Sequence, residues 1–252
     1  QTAANNAVYG ELGRRHCQSR YQWKQLAFWN RIIGLPESRL VYKAYKLALE
    51  IDNNSTFIKH IKTTLEEIGQ YSLWQNQNQI STYILKTDIK NKINLIYEKI
   101  WSKQLTEARK GNKGNSKLRT YKTFKKSLQM EKYLSCINVR AHRIALTKLR
   151  TSAHQLRIET GRFKNIDEKE RVCLLCHSGE VESEVHFLIQ CNFFKEKRDK
   201  FITFITKIIP GFNAYDNEKQ FLELMNTDND VILKKMGQLI YNGFKKRSDF
   251  LD

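Results

Sequence analysis

The chain has 252 residues, a formal net charge of +18 and an isoelectric point of about 9.7. This length can bury a sizeable core, as one large domain or two small ones, and the positive charge attracts polyanions such as nucleic acids. The sequence has no signal segment and no apolar run of about 18 residues, so we expect neither an exported protein nor a membrane protein.

Helical periodicity dominates the first part of the chain and predicts four helices. The first is capped by Ser19 and ends at Gly34, and the second begins at Pro36, which suits a first helical position. The third begins at Ser55, and a longer helix covers about residues 80–108. The aromatic residues on these helices are interpreted as core, and no binding site is predicted among them.

The loop at residues 111–116 is rich in glycine and asparagine and is the best candidate for a domain boundary. We therefore divide the chain into residues 1–35, residues 36–108, a basic linker at residues 109–126 and a C-terminal part at residues 127–252.

Basic and aromatic side chains alternate in the segment that follows this loop, and the segment contains no acidic residue. Cations that neutralise phosphates, interleaved with rings that stack on bases, are typical of proteins that bind single-stranded nucleic acid. The alternative is a solvated linker without a ligand. The candidate nucleic-acid-binding residues here are Lys117, Arg119, Tyr121, Lys122, Lys125 and Lys126.

A second basic pattern lies between Val139 and Arg157, where polar side chains recur every three or four residues. This spacing predicts one stripe on a single helix, whose opposite stripe is apolar and faces the core. Neighbouring arginines repel one another unless an anion lies across them, so the stripe favours contact with phosphates. The alternative is pairing with the acidic residues at 167–170 or 180–184. The candidates on this stripe are Arg140, Arg143, Arg150, His154 and Arg157, with His154 in a hydrogen-bonding or packing role rather than a catalytic one.

Four residues in the C-terminal third follow the pattern Cys173-x2-Cys176-x9-His186-x4-Cys191. Zinc prefers four tetrahedral thiolate and imidazole ligands, and a Cys-x-x-Cys turn can present two thiolates to one ion. The sequence therefore predicts a closed structural Zn²⁺ site at these residues. The alternatives are buried thiols beside an incidental histidine, or a redox pair. The chain has five cysteines, without paired spacing outside this motif, which suggests a reducing compartment.

The zinc motif itself contains no lysine or arginine but three glutamates, Glu180, Glu182 and Glu184. We expect these glutamates to lie on the surface of the zinc loop, where they repel phosphate. Replacing Glu182 and Glu184 by glutamine should therefore leave nucleic-acid binding unchanged or slightly stronger. The zinc then acts as a staple that fixes the basic helix against helices predicted at about residues 193–208, 217–226 and 229–245. The predicted fold class is mostly α, with helical bundles and a small CCHC zinc-stapled module.

No catalytic motif is recognisable in the sequence. A polymerase site needs clustered aspartates for two metal ions, and the chain has no Asp-Asp pair. Neither proline precedes an aspartate, as a restriction-type nuclease site would require, and a glycine-rich phosphate loop is missing. We therefore expect no enzymatic activity from this segment.

Several stretches of the sequence resemble a known family. They are AVYGELGR (residues 7–14), LRTYKTFK (118–125), EKYL (131–134), LRTSAHQLRIETGRF (149–163), ERVCLLC (170–176) and VESEVHFLIQC (181–191). Together they resemble the region after the polymerase domain in LINE-type, non-LTR retrotransposon reverse transcriptases of invertebrates. The resemblance spans nearly the whole chain and is specific between Tyr121 and Cys191.

This resemblance implies a non-catalytic, nucleic-acid-binding C-terminal region that grips template RNA or target DNA during target-primed reverse transcription. Its partners would be RNA or DNA and the upstream reverse transcriptase domain of the same polyprotein, with residues 1–35 following the polymerase thumb. The lack of an initiator methionine suggests that Gln1 is internal to a longer protein. We expect that protein to be part of a ribonucleoprotein in the nucleus and cytoplasm. The alternative is a domesticated zinc-stapled helical module that binds protein.

Overall fold

The computed structural model describes residues 4–51, 55–107 and 117–251. These residues form fourteen α-helices and no β-strand, which confirms the predicted mostly α fold. The helices are α1 (Asn5–Glu11), α2 (Cys17–Ile33), α3 (Leu40–Ile51), α4 (Thr56–Glu67), α5 (Tyr71–Asn76), α6 (Thr82–Ile84), α7 (Lys90–Glu107), α8 (Tyr121–Phe124), α9 (Tyr133–Cys136), α10 (Arg140–Arg150), α11 (Arg157–Phe163), α12 (Lys195–Thr206), α13 (Asn217–Asn226) and α14 (Asp230–Leu251). None of the described helices is both long and apolar enough to cross a lipid bilayer.

The chain divides into two compact units, one of residues 15–102 and one that combines residues 1–14 with residues 103–252. This division differs from the predicted segment 1–35, because α1 belongs to the same unit as the C-terminal helices. The backbone of Leu12 bridges Met130, and the Tyr121 hydroxyl donates to the Ala7 carbonyl at 3.2 Å. The predicted boundary loop at residues 111–116 lies outside the described residues.

The unit of residues 15–102 is a helical bundle around a core of aromatic and branched aliphatic side chains. In this core the Trp29 indole packs on Trp74 and donates to the Tyr45 hydroxyl at 2.9 Å. The predicted start of a helix at Ser55 is confirmed, although its side chain makes no capping hydrogen bond. Helix α2 is capped by His16 rather than Ser19, and Pro36 precedes α3 in a turn. The predicted long helix is divided into α6, a π-helical turn at Leu85–Ile89 and α7.

The other unit is organised around α10 and α14, which pack along each other. Gly237 lies against His142, and the Tyr241 ring also contacts His142, while Phe244 contacts His154 further along. The earlier residues of α14 contact His142 and a later one contacts His154, so α14 runs parallel to α10 and the residues after it. The helices predicted after the zinc motif are confirmed as α12, α13 and α14, the last extending to Leu251.

The single basic helix predicted between residues 139 and 157 is wrong in its extent. Helix α10 ends at Arg150, and Ser152 adopts a left-handed conformation with φ of 51°, which interrupts the helical geometry. A new helix, α11, starts at Arg157. Arg140 and Arg157 therefore lie on different helices, and the predicted stripe does not continue across the break.

Candidate metal centre

A short turn presents the first two metal-ligand candidates. The backbone of Val172 bridges Val181, and the Cys173 amide donates to the Glu180 carbonyl at 2.8 Å. Gly179 closes the turn with φ of +76°, a conformation that glycine adopts at little cost. Cys173 and Cys176 therefore lie at the end of a hairpin-like loop, both on the same side as the segment that carries the other two ligands.

A π-helical turn at His186–Gln190 supplies the other two candidates. Its histidine starts the turn, and the amide of Cys191 donates to the His186 carbonyl at 2.7 Å, which ends the turn. Single π-helical turns are often found at functional sites. Here the turn brings residues five apart in sequence onto one side of the loop.

The four predicted ligands converge. The Sγ atoms of Cys173, Cys176 and Cys191 and a ring nitrogen of His186 all lie within 4.8 Å of one another. The Cys173 and Cys191 sulfurs are 3.9 Å apart, and the Cys176 sulfur is 3.4 Å from His186 Nε2. A tetrahedral ion with metal–sulfur bonds of about 2.3 Å and metal–nitrogen bonds of 2.0–2.1 Å needs separations of about 3.8 and 3.5 Å. The cluster therefore has the dimensions to hold a metal ion.

The alternatives raised by the sequence fit this geometry less well. A disulfide needs sulfurs about 2.05 Å apart, and all five cysteines are free. His177 is an exposed neighbour of Cys176 and does not belong to the converging group. His186 is buried, and its Nδ1 has no hydrogen-bond partner among the described residues, so Nε2 is the nitrogen that faces the thiols.

The local electrostatics favour the thiolate, the form that binds metals, at Cys173 and Cys176. Hydrogen bonding between Cys173 and Cys191 lowers the pKa of Cys173 to about 3 and raises the pKa of Cys191, so the two sulfurs share one proton. Burial raises the pKa of Cys176, but hydrogen bonds from Ser178 outweigh burial and lower it. Burial lowers the pKa of His186, but the neighbouring thiolates outweigh this effect and raise it.

The module around the cluster docks on α14 through aromatic rings. Phe187 stacks on Phe244 with centroids 5.0 Å apart, and it meets Phe194 edge to face at the same distance. Arg198 on α12 donates to the Cys191 carbonyl at 2.6 Å. Gly243 allows this approach, because a Cβ there would lie 2.7 Å from Cζ of Phe187.

Replacing Gly243 by alanine should therefore lower the stability of the protein. Alanine favours a helix over glycine by about 1 kcal/mol, but forcing a packed ring to move costs about 1–3 kcal/mol. We expect a lower midpoint of urea unfolding for Gly243→Ala and an unchanged midpoint for Gln238→Ala, an exposed position of the same helix. A midpoint at or above that of the parent for Gly243→Ala would contradict this packing.

Two glutamates of the metal module are buried, which corrects the expectation that they lie on its surface. Glu182 pairs with Arg247 of α14 through two contacts, at 2.7 and 2.9 Å, and accepts the Arg157 amide at 2.7 Å. Glu184 accepts from Arg119 at 2.9 Å and contacts His154 Nε2 at 3.0 Å. Burial raises the pKa of Glu184, but Arg119 outweighs burial and holds the pKa well below its usual range.

Arg150, predicted to bind nucleic acid, is instead an internal residue with 2% of its surface exposed. Its guanidinium pairs with Glu11 at 2.8 and 3.1 Å, reaches Glu131 at 2.8 Å and donates to the Met225 carbonyl at 2.6 Å. Burial alone would lower the pKa of Arg150, but Glu11 outweighs burial and raises it. This arginine stabilises the docking of α1 and cannot reach a phosphate at the surface.

Three further predicted nucleic-acid contacts are also internal, and a fourth, Arg119, is half-buried. Tyr121 is fully buried, and Lys125 is buried beside Glu131 and the Gln129 carbonyl. Arg119 bridges Glu159 and Glu184, and His154 is buried against Glu184. The predictions for Tyr121, Lys125, Arg150 and His154 as accessible binding residues are therefore wrong, and the half-buried Arg119 is already paired with two carboxylates. Part of the alternative for the stripe holds, since His154 pairs with Glu184, an acidic residue of the zinc motif.

The remaining predicted positions are accessible. Lys126 and Arg140 are exposed, and the others are half-buried, with Arg143 donating to the Ile137 carbonyl at 2.8 Å. They stay predictions: Lys117, Lys122, Lys126, Arg140, Arg143 and Arg157. Sequence reasoning missed Lys148, which is exposed four residues after exposed Ile144 and eight after Arg140. The spacing of eight residues from Arg140 to Lys148 was the available signal in the sequence.

Comparisons of the chain with protein-family models, with curated proteins and with solved structures give no match. Function is therefore inferred from the residues and their geometry.

Proposed function

We propose that this chain is a non-catalytic, nucleic-acid-binding region like the one that follows the polymerase in LINE-type reverse transcriptases. It would bind template RNA or target DNA, while the reverse transcriptase domain of the same polyprotein supplies the chemistry. The observation that carries this proposal is a set of exposed cations on the paired helices α10 and α14. We call it the basic face, and it comprises Arg140, Lys148, Lys234 and Lys245.

The basic face suits a nucleic-acid strand for two reasons. Arg140 and Lys148 are eight residues apart on α10, which is about 12 Å along the helix axis, so different phosphates of one strand can reach both. Two carboxylates of this unit are already paired with internal arginines, Glu11 with Arg150 and Glu182 with Arg247. The lysines of the face form no ion pair among the described residues, so their charge remains available to phosphates.

We propose that the metal held by the cysteine and histidine cluster is Zn²⁺. Three thiolates and one imidazole in a tetrahedral arrangement of these dimensions favour zinc over harder cations, which prefer oxygen ligands. Four protein ligands leave no open position for a substrate, so the ion would have a structural role. It would hold Glu182 and Glu184 in place, and through them Arg247, Arg119 and His154.

A protein-binding module remains a second candidate because of α3. This helix exposes an apolar stripe in which Leu40, Leu47 and Ile51 are 80%, 54% and 72% exposed. Large apolar side chains that are exposed together often mark protein contacts. The two candidates differ in the ligand that the purified chain binds.

Binding to a fluorescent single-stranded RNA and DNA oligonucleotide tests the nucleic-acid proposal. We expect the affinity to fall with salt by about 0.7 log units per log unit of salt for each phosphate contacted. Reversing two charges, with Arg140→Glu and Lys245→Glu together, should reduce affinity and flatten this slope. The matched control is Lys207→Glu, an exposed lysine at the end of α12. Absence of binding by the parent chain overturns the proposed function, and an equal loss in the control shows that net charge alone is responsible.

A further inference from the structure

An open cleft lies between the segment that follows α10 and the last two turns of α14. Its volume is about 240 Å³, and its walls include Lys148, His154, Gln155, Phe244, Arg247 and Ser248. This volume is somewhat below the range of about 300–1,000 Å³ typical of pockets for drug-sized ligands. It is far larger than the space needed for one water molecule, about 10–15 Å³ on the same scale. The cleft therefore has room for a small organic group.

The cations in the cleft are of two kinds. Lys148 is exposed and forms no ion pair among the described residues. Arg247 is held rigidly, because Glu182 accepts hydrogen bonds from its Nε and Nη2 atoms at 2.7 and 2.9 Å. The Nη1 group of Arg247 takes no part in this pair. A mobile ammonium group at the rim and a fixed guanidinium in the wall form an arrangement that suits an anion with several oxygens, such as a phosphate.

The rest of the lining suits a nucleoside. No carboxylate of the described residues lines the cleft, and the nearby Glu182 and Glu184 are already paired. Ala153 and the edge of Phe244 give apolar surface, while Gln155 has an amide that can both donate and accept. Single-stranded nucleic acids are recognised by bases that leave the stack and meet such polar and apolar groups together.

We propose that this cleft binds one nucleotide of a single-stranded nucleic acid. Lys148 and Arg247 contact the phosphate, and Gln155 and Ser248 make hydrogen bonds to the base or sugar. This inference rests on the proposed nucleic-acid-binding function and identifies the point on the basic face where a single nucleotide is held. A face of exposed lysines alone would bind duplex and single strand through charge, whereas the cleft adds a preference for an unpaired strand.

The test uses the zinc-loaded chain and a fluorescent single-stranded oligonucleotide of uniform sequence. Ser248→Trp should fill the cleft, and Lys148→Met should remove its exposed charge; each should weaken binding about tenfold, or about 1.4 kcal/mol. Thr203→Trp and Lys207→Met are the matched controls at exposed positions outside the cleft and outside the basic face, and they should bind nearly as the parent does. Unchanged thermal unfolding and zinc content verify that each variant is folded.

Photocrosslinking with a thiolated base locates the contact independently. The crosslinked peptide should contain residues 148–155 or 244–248. If the parent binds the oligonucleotide but both cleft variants bind equally well, the cleft proposal is wrong while the proposed function stands. If inorganic polyphosphate of equal charge competes as well as the oligonucleotide, the cleft takes phosphate without a base. If the parent does not bind at all, both proposals fail.

Discussion

Cys191→Ser should abolish metal binding and unfold the region around the metal centre. Cys191 is 1% exposed, and its sulfur lies 3.9 Å from that of Cys173, so serine removes one of four ligands from a buried site. Structural zinc binding is worth about 10–16 kcal/mol in small zinc modules, which is comparable to the whole stability of a typical domain, about 5–15 kcal/mol. Metal analysis of the purified parent should give about one equivalent of zinc, and the variant should give almost none.

The unfolding should be visible beyond the ligands. The metal module fixes Glu182 and Glu184, so its loss should expose the amides of α11 and the end of α14 to hydrogen exchange. Cys136→Ser is the matched control, since Cys136 lies outside the metal centre and is half-buried; it should keep full zinc and parent-like exchange. Retention of full zinc and parent stability by Cys191→Ser would show that the ligand assignment is wrong.

The metal centre could be predicted because its determinants are local. The four ligands lie within nineteen residues, so they can converge when the intervening chain turns back. Gly179 allows this turn, because glycine readily adopts a positive φ. Helices α12 and α13 were equally predictable, since each follows its own apolar periodicity. The π-helical turn at His186–Gln190 was not predictable, because it depends on the packing of Phe187 against α14.

The basic surface was predicted poorly, because the sequence does not show which charged side chains pair with each other inside the fold. Arg150 pairs with Glu11, which lies 139 residues away in sequence. The periodicity of α10 placed Arg150 on the polar stripe, opposite the apolar one, and only the paired carboxylate explains how it can be buried. A weak signal existed: Glu11 is the lone carboxylate in the first 36 residues, within the apolar run of α1. Such an isolated charge suggests an internal partner.

Replacing Glu184 by glutamine should destabilise the protein strongly, because Glu184 is a buried partner of two side chains and not a surface residue. The change leaves the guanidinium of Arg119 and the His154 ring with a neutral partner inside the fold, where Glu184 is 1% exposed. Removing one member of a buried ion pair costs about 3–5 kcal/mol. Because Glu159 still pairs with Arg119, we expect the lower end of this range, about 3 kcal/mol. Urea unfolding followed by circular dichroism measures the loss as a lower midpoint.

Glu180→Gln is the matched control, because Glu180 lies in the same loop but is exposed. It removes the same charge and should change stability by less than about 0.5 kcal/mol. Added salt distinguishes the two positions further, since salt screens surface charges and hardly affects buried pairs. The difference between the two variants should therefore persist at high salt. If both variants unfolded at the parent midpoint, the internal pairing of Glu184 would not contribute to stability, and the glutamates of the metal module would have no structural role.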